Sequence, residues 1–448
     1  MAMHEDPVAS STGIKVIIVG FGIAGASAAI ECHRKGHNVV VYERLPELTK
    51  VGGDGISLGS NGCSVLSKWD NGEFNETIKP LKFRTDNMNI FDYTGFDLGK
   101  HKFHGYNAGR GYTLNRGSLV FSMYDYAQKL GIKVFMGSTV TEYWETEDEA
   151  GIVVNGEKVA ADCVICAEGI HSKGRAAITG QEMQCKETGF VSTRGYLEGK
   201  AAIQGPSLTR IVSGMEDGNC MYGWMGPRMH ISMGIKIDGG ELFWYACHEA
   251  ASVPPKNNSE AIDHILECMS DWTMRDELES VVRNVSEGRF ISQKLVVTTA
   301  LKSWLSPRRR MIVIGDAAHA ALPTSGQGGT QAIEDAAVLA IALELAGKQD
   351  IPLALSVTEK IRFKRAQLIQ QGGLAVLKFG MNRSDFELFR KDPNLARPPH
   401  PAWIFDHDCQ EYTYREFAAA AEAVRSGKDY VPTNIPADGE YRIAYDSK

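Results

Sequence analysis

Asp316, Pro323, Gly326, Gly328 and Gly329 sit together in one short stretch, GDAAHAALPTSGQGGTQAIED (315–335). Asp316 closes an apolar run, MIVIGD, where its carboxylate can accept a hydrogen bond from a ligand hydroxyl. Pro323 stiffens the loop that follows. The three glycines open a helix, and the free N–H groups and dipole of such a start favour negative charge.

A second glycine-rich helix start, VIIVGFGIAGASAAI, lies about three hundred residues earlier. Gly20 makes the tight turn after a strand. Gly22 lets backbone approach a pyrophosphate, and Gly25 lets helix pack on strand. Ile23 and Ala24 lie between them at the helix start and belong to the same expected site. Glu43 ends the next strand, NVVVYE, where a carboxylate can accept both ribose hydroxyls and would repel a 2′-phosphate. The bound nucleotide is therefore expected to be FAD or NAD rather than NADP. Arg44, beside Glu43, and Gly55, in the glycine-rich stretch 52–62, are assigned to this site too. NAD accounts for one glycine-rich helix start. A flavin accounts for both, because a reduced flavin carries negative charge at its pyrimidine end.

The elements that would position these residues can be read along the chain. A buried-type strand at 14–20, a helix to about Lys35 stopped by Gly36, and a strand ending at Glu43 make one βαβ unit. Residues 52–62 read as loop, 70–110 as polar sequence with short strands, and 113–130 as helix. Further strands are expected at 132–137, 151–155 and 161–167. From about 186 to 292 the texture changes to alternating strands (190–198, 208–213, 220–225, 230–237, 241–248) and a helix near 258–270. The first fold resumes at 311–316, with helices at about 328–346 and 353–372 and a mixed tail broken by prolines at 393–401.

The expected class is α/β. A Rossmann-like FAD-binding domain (14–81 with 106–185 and 293–372) carries an inserted antiparallel-sheet substrate domain (82–105 with 186–292). A C-terminal helical extension (373–448) follows, and 1–13 form a disordered lead.

Bulk composition narrows the function classes. With 448 residues, 43% apolar and 23% charged, the chain is an ordinary globular protein. A formal net charge of −7 argues against nucleic-acid binding, and the one basic run, Arg308-Arg309-Arg310, reads as a solvated strand lead-in. No secretory signal is visible, and no apolar run reaches the roughly 18–20 residues of a membrane span. The default is a cytoplasmic protein. Nine cysteines show no framework spacing. Cys163 and Cys166 lie three apart in a strand, which turns them to opposite faces and suits structural thiols rather than a metal. No His/Cys/Asp set with ligand spacing stands out, so no metal is expected.

With these motifs in order, the sequence resembles the FAD-dependent aromatic hydroxylases of the p-hydroxybenzoate and salicylate hydroxylase group, the class A flavoprotein monooxygenases. The resemblance rests on the N-terminal glycine loop with Glu43, on ADCVICAEGIHSKGR (161–175), and on GDAAHAALPTSGQGGTQAIEDA. Arg116-Gly-Ser-Leu119 also resembles the group's Arg-x-x-Leu helix, whose arginine contacts the flavin nucleotide. It covers roughly residues 14–375, with features of fungal biosynthetic members.

The resemblance implies that NAD(P)H reduces FAD. Reduced flavin and O2 then form a C4a-hydroperoxide, which hydroxylates or epoxidises an aromatic small molecule of phenolic, polyketide or indole type. Glu168 and Gly169 would touch the cofactors. Arg194, in FVSTRGYL, resembles an arginine that some members place beside the flavin and is the catalytic candidate; a solvated or ion-paired strand arginine explains it equally well. Tyr196 shares its face. His319 reads as a supporting residue, and Tyr222, Trp224, His230, Tyr245 and His248 as possible pocket walls. Arg362 and Arg365 read as surface charge.

Two departures bear on the substrate. Glu168 replaces the usual aspartate, and Gly234-Ile235 stand near the position of an aromatic-Pro pair in several phenol-oxidising relatives, which leaves room for an indole. The chain is expected as a monomer or homodimer. A flavin-dependent reductase of the geranylgeranyl reductase type and a noncatalytic FAD-fold binding protein remain as alternatives.

Overall fold

The computed structural model describes residues 10–443 apart from 51–53, 84, 200–218, 237–238, 287, 382–385 and 398. The expected strand at 208–213 and most of the expected disordered lead fall outside these residues. Thr12, at the end of that lead, is tied down by bonds to the Gly36 carbonyl and the His37 ring.

Among the described residues, β1 (Lys15–Val19), β2 (Asn38–Tyr42), β7 (Lys133–Phe135), β11 (Cys163–Cys166) and β17 (Met311–Val313) form a parallel sheet in the order β17-β11-β1-β2-β7. Its register places Val19, Tyr42, Cys166 and Val313 in one row. The segments after these residues carry Gly20, Glu43, Glu168-Gly169 and Asp316. Four motifs scattered over about 300 residues thus leave one edge of one sheet, at the carboxyl ends of its strands, where open α/β sheets bind ligands.

Two helices frame that edge. Helix α1 (Ile23–Arg34) follows the first glycine loop; α2 (Gly328–Ala346) follows the second and is buried along most of its length. Gly315, at φ 57°, lets the two helices approach: a Cβ there would lie 2.8 Å from the Cβ of Ala24 and 3.3 Å from that of Ala332. The residues read as loop at 52–62 instead form β3 (Gly55–Leu58), paired with β6 (Tyr112–Asn115), and a short helix, Ser60–Leu66. Glycines there serve close packing, since a Cβ on Gly62 would press on Thr330 of α2 at 2.8 Å. The helix expected from 113 begins at Arg116 (to Lys129), capped by the Asn115 side chain.

The second sheet has the order β16-β12-β15-β14-β13-β4-β5, built from β4 (Asn87–Asp92), β5 (Asp97–Lys102), β12 (Cys185–Glu198), β13 (Asn219–Met225), β14 (Met229–Lys236), β15 (Glu241–Glu249) and β16 (Phe290–Thr298). It is antiparallel except where β13 runs parallel to β4. One face packs on Asn258–Cys268, here α3, and on a helix the periodicity missed, Arg275–Arg283, around a core of Trp224, Ile231, Trp244 and Leu278.

The longest described helix runs Ile351–Met381, past the stop expected at 372. Gly372 and Gly373 lie inside it, where other groups occupy the space a side chain would take. A Cβ on Gly372 would meet the Tyr441 ring at 2.2 Å, and one on Gly373 would meet Leu322 at 3.3 Å. No described helix is long and apolar enough to cross a membrane.

Candidate active site

A cavity of about 530 Å³ is lined from both sheets. At one end its walls are Gly22, Ile23 and Ala24 of the first loop, Gly55, Arg116 and Gly169, and Asp316, Pro323, Gly326, Gly328 and Gly329 of the second. Both helix starts here are uncapped: Gly22 before α1 and Gln327 before α2 have no side-chain cap, and neither first turn holds an acid. Their N–H groups are left for a ligand. A Cβ on Gly22 would meet no protein atom within 4 Å, so that glycine is not explained by packing.

Five expected cofactor residues lie behind this wall. Gly20 (φ 97°) and Gly25 are steric necessities, since a Cβ on Gly25 would fall 1.9 Å from the Gly20 carbonyl oxygen. Glu43 accepts from the backbone N–H of Phe21 at 2.6 Å and of Leu45 at 2.8 Å, bracing the loop. Arg44 is exposed. Glu168 is not part of the cavity lining. Its carboxylate accepts from Ser172 Oγ at 2.8 Å and from the Gly174 N–H at 2.7 Å, so it braces its own turn.

The other end of the cavity is the free face of the second sheet. The strand register aligns Arg194, Tyr245, Ser232, Gly223 and Ile90 in a row across five strands, and all five line the cavity. Met88, Met221 and Phe243 belong to the next row. A Cβ on Gly234 would lie 2.2 Å from the Phe243 ring and one on Gly55 3.0 Å, so these glycines seat that ring. Tyr196 is buried outside the cavity under the Arg289 guanidinium. Tyr222 and His248 also lie outside it, whereas Trp224 and His230 line it.

Arg194 is an ion-paired strand arginine that also reaches the cavity. It lines the cavity, and its Nη1 pairs with Asp54 Oδ2 at 2.6 Å. Its Nε has no protein partner. Burial holds the Tyr245 hydroxyl beside it far above the ordinary tyrosine range, so that group is a neutral donor.

Beneath the start of α2 lies a buried charge network that corrects the expectation of surface arginines. Arg362 and Arg365 are fully buried. Arg362 pairs with Asp335 at 2.8 Å and with Glu334; Arg365 pairs with Glu334 at 3.0 Å and donates to the carbonyls of Trp403, Ile404 and Asn434. Burial alone would raise the Glu334 carboxyl, but Arg365 and Arg362 overcome it and hold it well below the usual range. His319 Nε2 donates to the Asp335 carboxylate at 2.6 Å in this network and does not line the cavity. The periodicity gave no hint of this, because helical spacing does not say what packs against a helix.

The network also orients a cavity residue. Arg362 donates to Gln331 Oε1 at 2.6 Å, which turns the Gln331 amide nitrogen to Gln327 Oε1 at 3.1 Å. Asn61 donates to the same oxygen at 3.1 Å. Gln327 Nε2, buried and without a protein partner, is left as a donor on a residue that lines the cavity.

A family profile described as FAD binding domain matches residues 13–369. The chain belongs to this family. It is also 57% identical, over the whole of both chains, to the FAD-dependent monooxygenase okaB of Penicillium ochrochloron. The asperlicin C monooxygenase of Petromyces alliaceus is 39% identical over 98% of this chain and 97% of its own. The crystal structure of CtdE in complex with FAD and a substrate matches at 39% identity and a TM-score of 0.84, over 92% of this chain and all of that one. This FAD-dependent monooxygenase thus has the cofactor and reaction class the motifs indicate. The uncapped helix starts, the open space at Gly22 and the orphaned Gln327 donor fit a dinucleotide with an anionic ring.

Sequence reasoning missed the tail's part in the cavity. Ala396, Pro399 and His400 line it, and His400 packs 4.7 Å from the Phe405 ring, with burial pushing its imidazole down to about 4. Only the proline break at 393–401 marked the region.

Proposed function

We propose that this monooxygenase uses NAD(P)H and O2 to insert one oxygen atom into a neutral, multi-ring, electron-rich aromatic molecule of indole type. The observation that carries this is the Arg194–Asp54 pair. It is the charged pair at the sheet end of the cavity, and it leaves that end neutral. A phenolic acid needs an unpaired cation, and Arg194 is already paired. Methionine and aromatic walls at Met88, Met221, Met225 and Phe243 offer an adaptable apolar surface of ring size. Gly234, in place of a phenol-orienting group, seats Phe243 instead.

The chain's own residues take the following roles in this reading. The start of α1 and Arg116 hold the nucleotide phosphates, with Glu43 bracing the loop. Asp316 accepts from the ribityl chain. The start of α2 and the Gln327 amide would face the pyrimidine ring. FAD, when bound and reduced by NAD(P)H, would supply the electrons that activate O2. Arg194 hydrogen-bonds the oxygen that carries developing negative charge, and Asp54 fixes its guanidinium. The tail, with His400 and Phe405, excludes water.

The test is NADPH and NADH consumption in air, with product masses, across neutral indole alkaloids, polyketide phenols and phenolic acids. Consumption stimulated by the neutral indoles, with products one oxygen heavier, is the expected result. A phenolic acid as the best substrate overturns the neutral-cavity reading. Products two hydrogens heavier return the reductase.

A further inference from the structure

On the sheet face opposite the cavity, three metal-binding side chains meet. His264 and Cys268 stand at i and i+4 on α3, hence on one helical face. His248 of β15 faces them across the helix–sheet interface. The donor atoms of all three lie within 4.8 Å of one another.

We propose that His248, His264 and Cys268 form a binding site for zinc. Cys268 Sγ is 3.6 Å from His264 Nε2. Tetrahedral zinc, with bonds of about 2.3 Å to sulfur and 2.0–2.1 Å to nitrogen, places such donors about 3.5 Å apart. His248 Nδ1 and His264 Nε2 each donate to the Glu249 main-chain oxygen at 2.9 Å, so both rings turn one nitrogen toward the same carbonyl, and zinc would take those two nitrogens once their protons pass to the far side of each ring.

The far nitrogen of each ring lies near an oxygen that could accept its proton once zinc is bound. His248 Nε2 meets Thr193 Oγ1 at 2.9 Å, itself fixed by Ser292 at 2.9 Å, and His264 Nδ1 lies 3.5 Å from the Glu267 carboxylate. A set of two imidazoles and a thiolate suits zinc rather than magnesium or calcium. Binding releases the Cys268 thiol proton to solvent, and water or the Glu249 carbonyl takes the fourth position. An ion there would clamp α3 to β15 without touching the oxygenation cavity.

The test uses FAD-loaded protein, stripped with a chelator, desalted, and titrated with zinc against a chromophoric competitor. A parallel cobalt titration is read for thiolate–metal absorption and for bands to the red of the flavin. One equivalent bound, with a zinc-dependent rise in Tm, is expected. His264→Asn and Cys268→Ser should each weaken binding at least tenfold and remove the Tm rise, with flavin content unchanged. Cys185→Ser, at the exposed cysteine, should retain both. Equal binding by wild type and the double variant, or loss with Cys185→Ser alone, overturns the proposal. So does cobalt bound without a thiolate signature. His264 is partly exposed, so its substitution keeps the test open should Cys268→Ser fold poorly.

Discussion

The two ends of the cavity are built in opposite ways. The nucleotide end is mainly backbone: glycines, two uncapped helix starts and a strand edge. The sheet end is side chain: Met88, Met221, Phe243, Tyr245 and the Arg194–Asp54 pair. Backbone contacts suit a ligand that never changes, since N–H groups at a helix start are indifferent to neighbouring side chains. Side-chain walls can be rewritten one residue at a time. The first end therefore specifies a cofactor, and the second a substrate.

Breaking the nucleotide end has the largest expected effect. Gly25→Val puts carbon where the Gly20 carbonyl already sits, 1.9 Å from the first added atom. The expected product is colourless protein, read by flavin absorbance after purification, with the second sheet's core still formed. Flavin retained at full occupancy would remove the steric argument for that glycine.

Next comes the floor beneath α2. Arg365→Ala leaves Glu334 buried with one partner fewer, at an expected cost of about 3–5 kcal/mol in denaturant unfolding. The sign with pH follows from the carboxyls. Glu334 and Asp335 are held below their ordinary values, so their contribution is present above the unfolded values and lost as pH falls through the folded ones. The gap between wild type and variant should therefore be full above about pH 5 and narrow toward pH 3. A gap that widens with acid would contradict the pairing.

The smallest effect belongs to the sheet end. Arg194→Lys should keep flavin binding and its spectrum, and lower kcat by about 100-fold, as loss of one aimed donor does. A larger fall in flavin content than in kcat would place Arg194 with the cofactor instead and blur the contrast.

Much of this was legible in the chain. The βαβ unit, four strands of the second sheet (β12 to β15) and both glycine motifs have local signals, either alternation, apolar runs or glycine spacing. Four features were not. Arg362 and Arg365 read as surface charge because helical spacing says nothing about what packs on the helix. The helix was expected to end at 372, and Tyr441, which fills the space beside Gly372 within the longer helix, comes about seventy residues later. The bracing of Glu168 by Ser172 and the Gly174 N–H gave no signal in its motif. The His248–His264–Cys268 cluster shows only its i, i+4 half in the sequence, since a strand brings His248 to the helix.

The sequence by itself determined the cofactor class. Glycine positions at a strand-to-helix turn are a local steric demand, and the pattern survives without any tertiary information. Only the tertiary structure decided the substrate end. Which residues share a sheet row depends on strand register, and whether an arginine is free or paired depends on what another segment places beside it. Asp54 lies 140 residues before Arg194, and their 2.6 Å contact exists only in the folded chain.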